Sequence, residues 1–391
     1  MKIVYIYSSI THIAGTERIL VDKMNYLSEC LNQDVILITY EQNNLPYSFP
    51  ISTKVKHISL DIKFYSVYKY KYPRLFIEKI RINKKFKTQI SQTIKDISPD
   101  VIICTSYLPR EIRLMANLKT NAVKIIESHV PQNYLWQTKN KNVLYRLYNY
   151  YHLHRIHTNI KKSDAAVALT KEDCALWGKY MQSFVLPDLI TYYPNENSTC
   201  LNKRVIAAGR FVEQKGFDIL IEAWDIVNKK HSDWILDIYN SNTESYTYRK
   251  MLSELIKNKY LGNNVFLHNA ASNIYEKYLN SSIYVLSSRF EGFALVLIEA
   301  MSCGVPCIAF DCPHGPRDII KNGEDGILVK EINSSLLAEQ ICYLIENEST
   351  RIEMGKKARE NVKRYRKEVV MPQWIELFEK LMDGKTKNTK K

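Results

Sequence analysis

Two carboxylates, Glu291 and Glu299, stand eight residues apart in RFEGFALVLIEAMSCGVPCIA (289–309), one of the most apolar stretches of this 391-residue chain, with no basic residue between them. Leu295, Val296, Leu297, Ile298, Ala300 and Met301 cover nearly every side of the helix that this pattern predicts, so an unpaired carboxylate at Glu299 would be costly. Glu299 is therefore expected at a polar opening and hydrogen-bonded. A carboxylate does not bind phosphate; it accepts two hydrogen bonds, which matches a vicinal diol. Upstream, GRFVEQKG (209–216) places Arg210 just past an apolar run and Lys215 just before a helical one. Two cations in a fixed fork suit a diphosphate, although loop cations are as readily solvated side chains. Near the start, Ala14-Gly15-Thr16 heads another helical pattern, where backbone amides can face an anion. Glu127-Ser128-His129 ends a further apolar run, and a lone histidine there is more often structural.

The elements that must position these residues alternate in type. Apolar β-type runs are read at 3–7, 35–39, 101–104, 123–126 and 165–169, then at 204–208, 235–238, 265–267, 283–286, 305–309 and 327–329. Helical patterns are read at 16–31, 74–95, 141–162, 216–230, 245–258, 272–280, 294–302 and 334–366. Such alternation predicts α/β architecture, with parallel sheets covered by helices on both faces. The length suits two domains. The polar stretch 188–202, opened by Pro187, is expected to link a domain over 1–187 to one over 203–368. A last helix is expected over 369–383 with Pro372 in its first turn, followed by a disordered basic tail at 384–391. Ligands of open parallel sheets gather beyond the carboxyl ends of strands. Cations for a diphosphate, carboxylates for diols and helix N-termini for residual charge together describe a pocket for a nucleotide sugar.

Composition narrows the setting. No run of eighteen apolar residues occurs, and MKIVYIYSSI reads as a first strand rather than a signal peptide, so a cytoplasmic chain is expected. Of the formal charge of +14, +12 lies within residues 1–190. Residues 54–95 hold 12 basic and 2 acidic side chains among Phe64, Tyr65, Tyr68, Tyr70, Tyr72, Phe76 and Phe86. That segment reads as a solvated lysine-rich face or as a surface for anionic lipid. No helix-turn-helix, RNP or zinc-finger pattern supports a nucleic-acid partner. Cys303, Cys307 and Cys312, with His314 nearby, match no common zinc spacing and are read as free structural thiols rather than metal ligands.

Three segments together carry a resemblance: GRFVEQKGFDILIEAW (209–224), FEGFALVLIEAMSCGVPCIA (290–309) and GPRDIIKNGEDGILV (315–329). They resemble glycosyltransferase family 4, whose E-x7-E signature corresponds to Glu291 and Glu299. The resemblance covers the whole chain, most securely 204–330; at its N-terminal counterpart Ala14 replaces the first glycine usual before Gly15. Asp311-Cys-Pro-His-Gly-Pro316 is similar to a variant found in bacterial enzymes that assemble capsule, O-antigen or lipid-linked oligosaccharides. The resemblance implies a GT-B fold, in which two Rossmann-like domains face each other across a cleft and the last helix crosses back to the first domain. It implies that Arg210 and Lys215 hold the donor diphosphate, Glu299 the ribose diol and Glu291 the transferred sugar. Gly292 lies in the same loop, and the amides of Phe293, Ala294 and Leu295 would support phosphate and sugar. Gly15 and Thr16 would let the facing domain approach the diphosphate, and His129 would contact the sugar.

The family retains anomeric configuration, and a phosphate oxygen of the leaving group takes the acceptor's proton. No D-x-D triplet occurs, in keeping with an enzyme that needs neither metal nor cofactor. The implied partners are a nucleotide-sugar donor, a UDP-hexose or UDP-N-acetylhexosamine, and a lipid-linked or polysaccharide acceptor. Residues 54–95 would dock the protein on the anionic inner face of the plasma membrane. The competing readings are a GT-B nucleotide-sugar 2-epimerase and a non-catalytic membrane or nucleic-acid binding protein of the same fold. Pro187-Asp188 departs from the Pro-Asn usual in relatives.

Overall fold

Short apolar strands that alternate with amphipathic helices can only pair in parallel, because each crossover carries a helix back over the sheet. The computed structural model describes residues 1–106, 109–132 and 153–389 of the chain. It divides into two units, Met1–Leu186 with Met371–Lys391, and Pro187–Val370. The first unit holds β1 (Lys2–Tyr7), β2 (Asp34–Thr39), β3 (Lys56–Ser59), β4 (Val101–Thr105), β5 (Val123–Ser128), β6 (Ala165–Ala168) and β7 (Ser183–Val185). These lie in the order β3-β2-β1-β4-β5-β6-β7, every neighbouring pair parallel. The second unit holds β8 (Arg204–Phe211), β9 (Ile235–Glu244), β10 (Val265–His268), β11 (Ile283–Leu286), β12 (Cys307–Phe310) and β13 (Gly326–Val329). Their order is β10-β9-β8-β11-β12-β13, again parallel throughout. Both sheets are Rossmann-like and doubly wound, and winding reverses between β1 and β4 in one and between β8 and β11 in the other.

Each sheet has its own apolar core. In the first unit Ile6, Ile38, Ile102 and Ile126 pack with Phe86, Ile90 and Ile94 of the helix Arg74–Ile97. In the second, Val205, Ile238, Val285 and Ile308 pack with Trp224, Leu252 and Ile341 from three covering helices. Strands buried on both faces read as continuous apolar runs, which is why most of them are legible in the sequence.

Several boundaries differ from the sequence expectation. The edge strands β3 (KHIS) and β7 (SFV) were not anticipated; they are short and partly polar, as edges tend to be. β8 runs through Arg210 to Phe211 rather than stopping at 208. The expected helix over 334–366 is two helices, Ser334–Glu346 and Glu348–Asn361, and then a 3-10 turn, Val362–Tyr365. The break falls at Asn347, where the buried Arg351 guanidinium donates to the carbonyls of Leu344 (2.6 Å), Ile345 (2.9 Å) and Cys200 (2.9 Å). Those bonds satisfy the orphan acceptors of a helix end. Residues 188–202, expected as a linker, pack within the second unit: Ile190 pairs with Arg366, and Ser198 Oγ donates to Ser281 O at 2.6 Å. The last helix begins at Lys367, so Pro372 lies inside it, and it continues to Thr389 where a disordered tail was expected. There Lys385 Nζ reaches Ala122 O and Asp164, both at 2.8 Å. Of the helix expected over 141–162, residues 141–152 lie outside the described residues, and 153–160 are helical.

Candidate functional site

The site of the second unit is built where β8 and β11 part. Their register pairs Val205 with Ile283 and Ile206 with Tyr284. Beyond these pairs, two loops stitch the strand ends together. Gln214 Nε2 donates to Phe290 O (2.9 Å), Arg289 N to Gln214 O (2.8 Å), and Ser287 Oγ to Lys215 O (2.9 Å). Arg289 forks onto Asp218 in the first turn of the helix Phe217–Lys230, with contacts of 3.0 and 2.7 Å. Burial pushes the Asp218 carboxyl up, but hydrogen bonds from Arg289 and Tyr248 outweigh that and hold it below its usual value.

Two glycines make this stitching possible. Gly216 sits at φ +62°, and a Cβ there would lie 2.0 Å from Ser287 O. Gly315, at φ +95°, packs equally flat: a Cβ would lie 2.5 Å from Phe293 O. The 287–294 loop is thus held at each end by a bare backbone that no other residue type can supply. It finishes at Ala294, itself left-handed at φ 73°, and the helix Leu295–Ser302 follows with no side-chain cap. The first-turn amides of an uncapped helix are suited to an anion.

Within this frame Lys215 Nζ meets Glu291 Oε1 at 2.7 Å, with side chains only 12% and 6% exposed. Ser288 Oγ donates to the same Glu291 oxygen. Gly209 leaves room for this: a Cβ there would come within 3.3 Å of the Lys215 stem. Arg210 is exposed and donates to Gln214 Oε1 at 3.3 Å. Glu299 is half-buried in the helix Leu295–Ser302 and accepts from Tyr278 Oη at 3.4 Å. Burial first, and then the charge of Glu299, hold that phenol protonated and able to donate. Gly292 is half-buried, and the Phe293 ring stands edge-on to Tyr365 at 5.6 Å. The second unit therefore brings together Arg210, Lys215, Glu291 and the helix start at Phe293–Leu295, with Glu299 one turn along that helix. Cys303, Cys307 and Cys312 are buried free thiols, and burial pushes Cys303 and Cys312 up to about 12.

Gly15, Thr16 and His129 belong to the first unit. Gly15 opens the helix Gly15–Glu29 after an extended Ala14 that makes no side-chain cap. The first turn already carries an acid, buried Glu17, which accepts from Tyr7 Oη at 3.0 Å. His129 was read as an isolated side chain, yet its Nε2 lies 3.2 Å from Glu127 Oε1 and its side chain is 4% exposed. Glu127 also pairs with Lys23 of the helix Gly15–Glu29. The Lys23 ammonium in turn lies 3.5 Å from the ring centroid of Trp374 on the last helix. Burial raises the Glu127 carboxyl, but Lys23 and His129 outweigh it and lower the value to about 2.

The pairing of Lys215 with Glu291, and of His129 with Glu127 and Lys23, escaped the sequence reading. Lys215 and Glu291 are 76 residues apart and Lys23 and Glu127 are 104 apart, with no periodicity to link them, whereas His129 lies two residues from Glu127. Gln214 and the Arg289–Asp218 fork were missed for the same reason of distance, whereas Ser288 is only three residues from Glu291. A local signal was glycine at 216 and 315, placed where the loops must touch.

Residues 198–361 match the family model described as glycosyl transferases group 1. The chain is 26% identical over 377 residues to an uncharacterized glycosyltransferase of Haemophilus influenzae, an alignment covering 95% of this chain and 98% of that protein. It is 32% identical over 170 residues to the poly(ribitol-phosphate) alpha-N-acetylglucosaminyltransferase of Staphylococcus aureus, covering 43% of this chain and 34% of that enzyme. Among solved structures, a mutant of S. aureus TarM in complex with fondaparinux, alpha-GlcNAc-glycerol and UDP matches with a TM-score of 0.74. That match has 17% identity and covers 97% of this chain and 100% of the other. Residues 198–361 are therefore similar to the group 1 glycosyltransferases, and the chain has the GT-B fold of that solved structure.

Two outcomes are expected. Gly216→Ala, which meets both a left-handed backbone and the Ser287 carbonyl, should lower stability in denaturant melts by more than about 2 kcal/mol. Glu127→Gln should destabilise by about 3–5 kcal/mol near neutrality, because Lys23 is left buried without its counter-charge. The contribution of a carboxyl with a depressed pKa is present above its usual value of 4.5 and is lost as pH falls towards about 2. The gap between wild type and variant should therefore close across that window.

Proposed function

We propose that the protein transfers a hexose or N-acetylhexosamine, with retention of configuration, from a UDP-sugar to a lipid-linked or polysaccharide acceptor in cell-surface glycan synthesis. The observation that carries this reading is the Lys215–Glu291 pair at 2.7 Å, set beside Arg210 and an uncapped helix start at the switch point of a doubly wound sheet. A cation and a carboxylate in contact at that edge match a ligand whose diphosphate is joined directly to a sugar. Arg210 and Lys215 meet the diphosphate and stabilise the charge that grows on it as the glycosidic bond breaks. The amides of Phe293, Ala294 and Leu295 add to that field. Glu291, fixed by Lys215 and Ser288, accepts from sugar hydroxyls, and Glu299 accepts from the ribose diol.

In this scheme a phosphate oxygen of the departing UDP takes the acceptor's proton, so no separate protein base is needed, and Arg210 and Lys215 serve where a divalent ion serves in other diphosphate sites. The poly(ribitol-phosphate) enzyme of S. aureus and the UDP bound to TarM support a UDP-sugar and a polymer acceptor. Among the described residues no helix is long and apolar enough to cross a membrane. We place the enzyme at the inner face of the plasma membrane, where lipid-linked acceptors are carried; the basic segment 54–95 supports that placement.

Arg210→Ala and Lys215→Ala should each lower kcat for sugar transfer about 100-fold or more, the usual cost of losing one preorganised charge at a leaving group. Near-normal transfer by the double variant would overturn the assignment of this pocket.

A further inference from the structure

The helix Arg74–Ile97 buries Phe86, Ile90 and Ile94 in its second half, and Ile82 packs against the same core ahead of them. Its first turns also present an outward face. Phe76 and Ile77 are each 58% exposed, and Ile80 is 55% exposed. The 3-10 turn Phe64–Lys69 just before it buries Phe64 and Val67 yet leaves Tyr68 at 68%, and Tyr72 in the connection is 75% exposed. Single exposed apolar side chains are ordinary, whereas a run of them on adjoining turns marks an interaction surface.

The run is continuous. Lys79 Nζ lies 5.0 Å from the Tyr68 ring centroid and the Arg74 guanidinium 4.4 Å from that of Tyr70, so cations and rings from the turn and the helix interleave. Helical spacing continues the stripe of Ile77 and Ile80 to Lys84, opposite Phe86, and Lys87 is exposed at its edge. The two acids of the segment are already matched locally, Asp61 to Lys63 at 3.1 Å and Glu78 to Arg81 at 3.4 Å.

We propose that this surface inserts into an anionic bilayer: Tyr68, Tyr72, Phe76, Ile77 and Ile80 enter the boundary between headgroups and acyl chains while the flanking lysines and arginines meet the headgroups. The inference rests on the proposed membrane-borne acceptor and goes beyond a purely electrostatic contact. The apolar side chains decide the occupant. A phosphate-rich polymer would satisfy the cations but leave Phe76, Ile77 and Ile80 in water. A second copy of the chain would set this basic face against itself. A bilayer with acidic headgroups rewards both sets.

The test uses the full chain, co-sedimented with vesicles of equal parts phosphatidylglycerol and phosphatidylcholine. Wild type should bind, and a measurable fraction should stay bound in 1 M salt, where the Debye length is about 3 Å and charge attraction is screened. The triple variant Phe76→Ser, Ile77→Ser, Ile80→Ser should bind about tenfold more weakly at low salt and not at all at high salt. Reversing Lys84, Lys85 and Lys87 to Glu should weaken low-salt binding. Phe76→Trp should show a blue-shifted emission with these vesicles that brominated lipid quenches. Unshifted and unquenched emission, or wild-type binding that salt abolishes and the serine variant does not alter, would overturn insertion. Retention on a soluble polyphosphate that depends on the lysines, without vesicle binding, would assign the surface to a polymer instead. UDP affinity of the same variants, read by calorimetry, separates the two ideas. A serine variant that keeps UDP affinity but loses vesicles supports this surface, whereas a wild type that binds vesicles but not UDP leaves insertion standing and removes the transferase reading.

Discussion

The buried contact between Lys215 and Glu291 is the interaction on which the second unit's site depends. Withdrawing two charges from water costs several kcal/mol each, and an apolar pair of similar volume would commonly be as stable or more so. Stability is therefore a poor reason for placing this pair at the end of a strand. In the proposed reading ligand recognition is a better one, because the same two groups would present opposite charges to adjoining parts of one molecule. The pair also keeps each partner ready: Lys215 is held against the β8 end, and Glu291 keeps a position from which it can accept hydroxyls.

Much of the surrounding structure serves that contact. The β8–β11 switch point parts the two strands, and the two loops that fill the gap touch through Gly216 and Ser287 and through Gly315 and Phe293. The Arg289–Asp218 fork fixes the loop to the helix that follows Lys215. Moving any of these would move Glu291 relative to Lys215, and positioning errors of that kind cost more in a site than in a surface loop. The first unit uses a comparable device for a different purpose. Lys23, Glu127 and His129 form a buried cluster whose ammonium also faces Trp374, so the last helix is tied to the same strand end that carries His129.

The architecture was largely legible in the sequence because both sheets are parallel and doubly covered. Apolar runs such as IVYIY and IYVL have no other stable use, and helical patterns separate them at regular intervals. The edge strands β3 and β7 were not legible, since a short half-exposed strand has no continuous apolar run. Helix ends were misread where a tertiary group decides them, as Arg351 does at Asn347. Among candidate residues, position at a strand end and residue type pointed to Arg210, Lys215, Glu291 and Glu299, of which the structure pairs Lys215 with Glu291. What no sequence pattern carries is partnership at a distance: Lys215 with Glu291, Tyr278 with Glu299, and Lys23 with Glu127. His129 was read as alone although Glu127, two residues before it, lies on the same side of the strand end; it is part of an ion cluster.

The central claim is that Lys215 and Glu291 read adjoining parts of one donor, and a double-mutant cycle on donor binding tests it most directly. Calorimetry would compare UDP with a UDP-sugar for Lys215→Met, Glu291→Gln and the double variant, after confirming that each is folded. Loss of Lys215 should weaken both ligands, and loss of Glu291 should weaken the UDP-sugar more than UDP. For the UDP-sugar the two effects should couple by about 1 kcal/mol or more, as expected for groups in contact that share a ligand. Additive effects within about 0.3 kcal/mol, or equal losses for UDP and UDP-sugar in both single variants, would contradict the account.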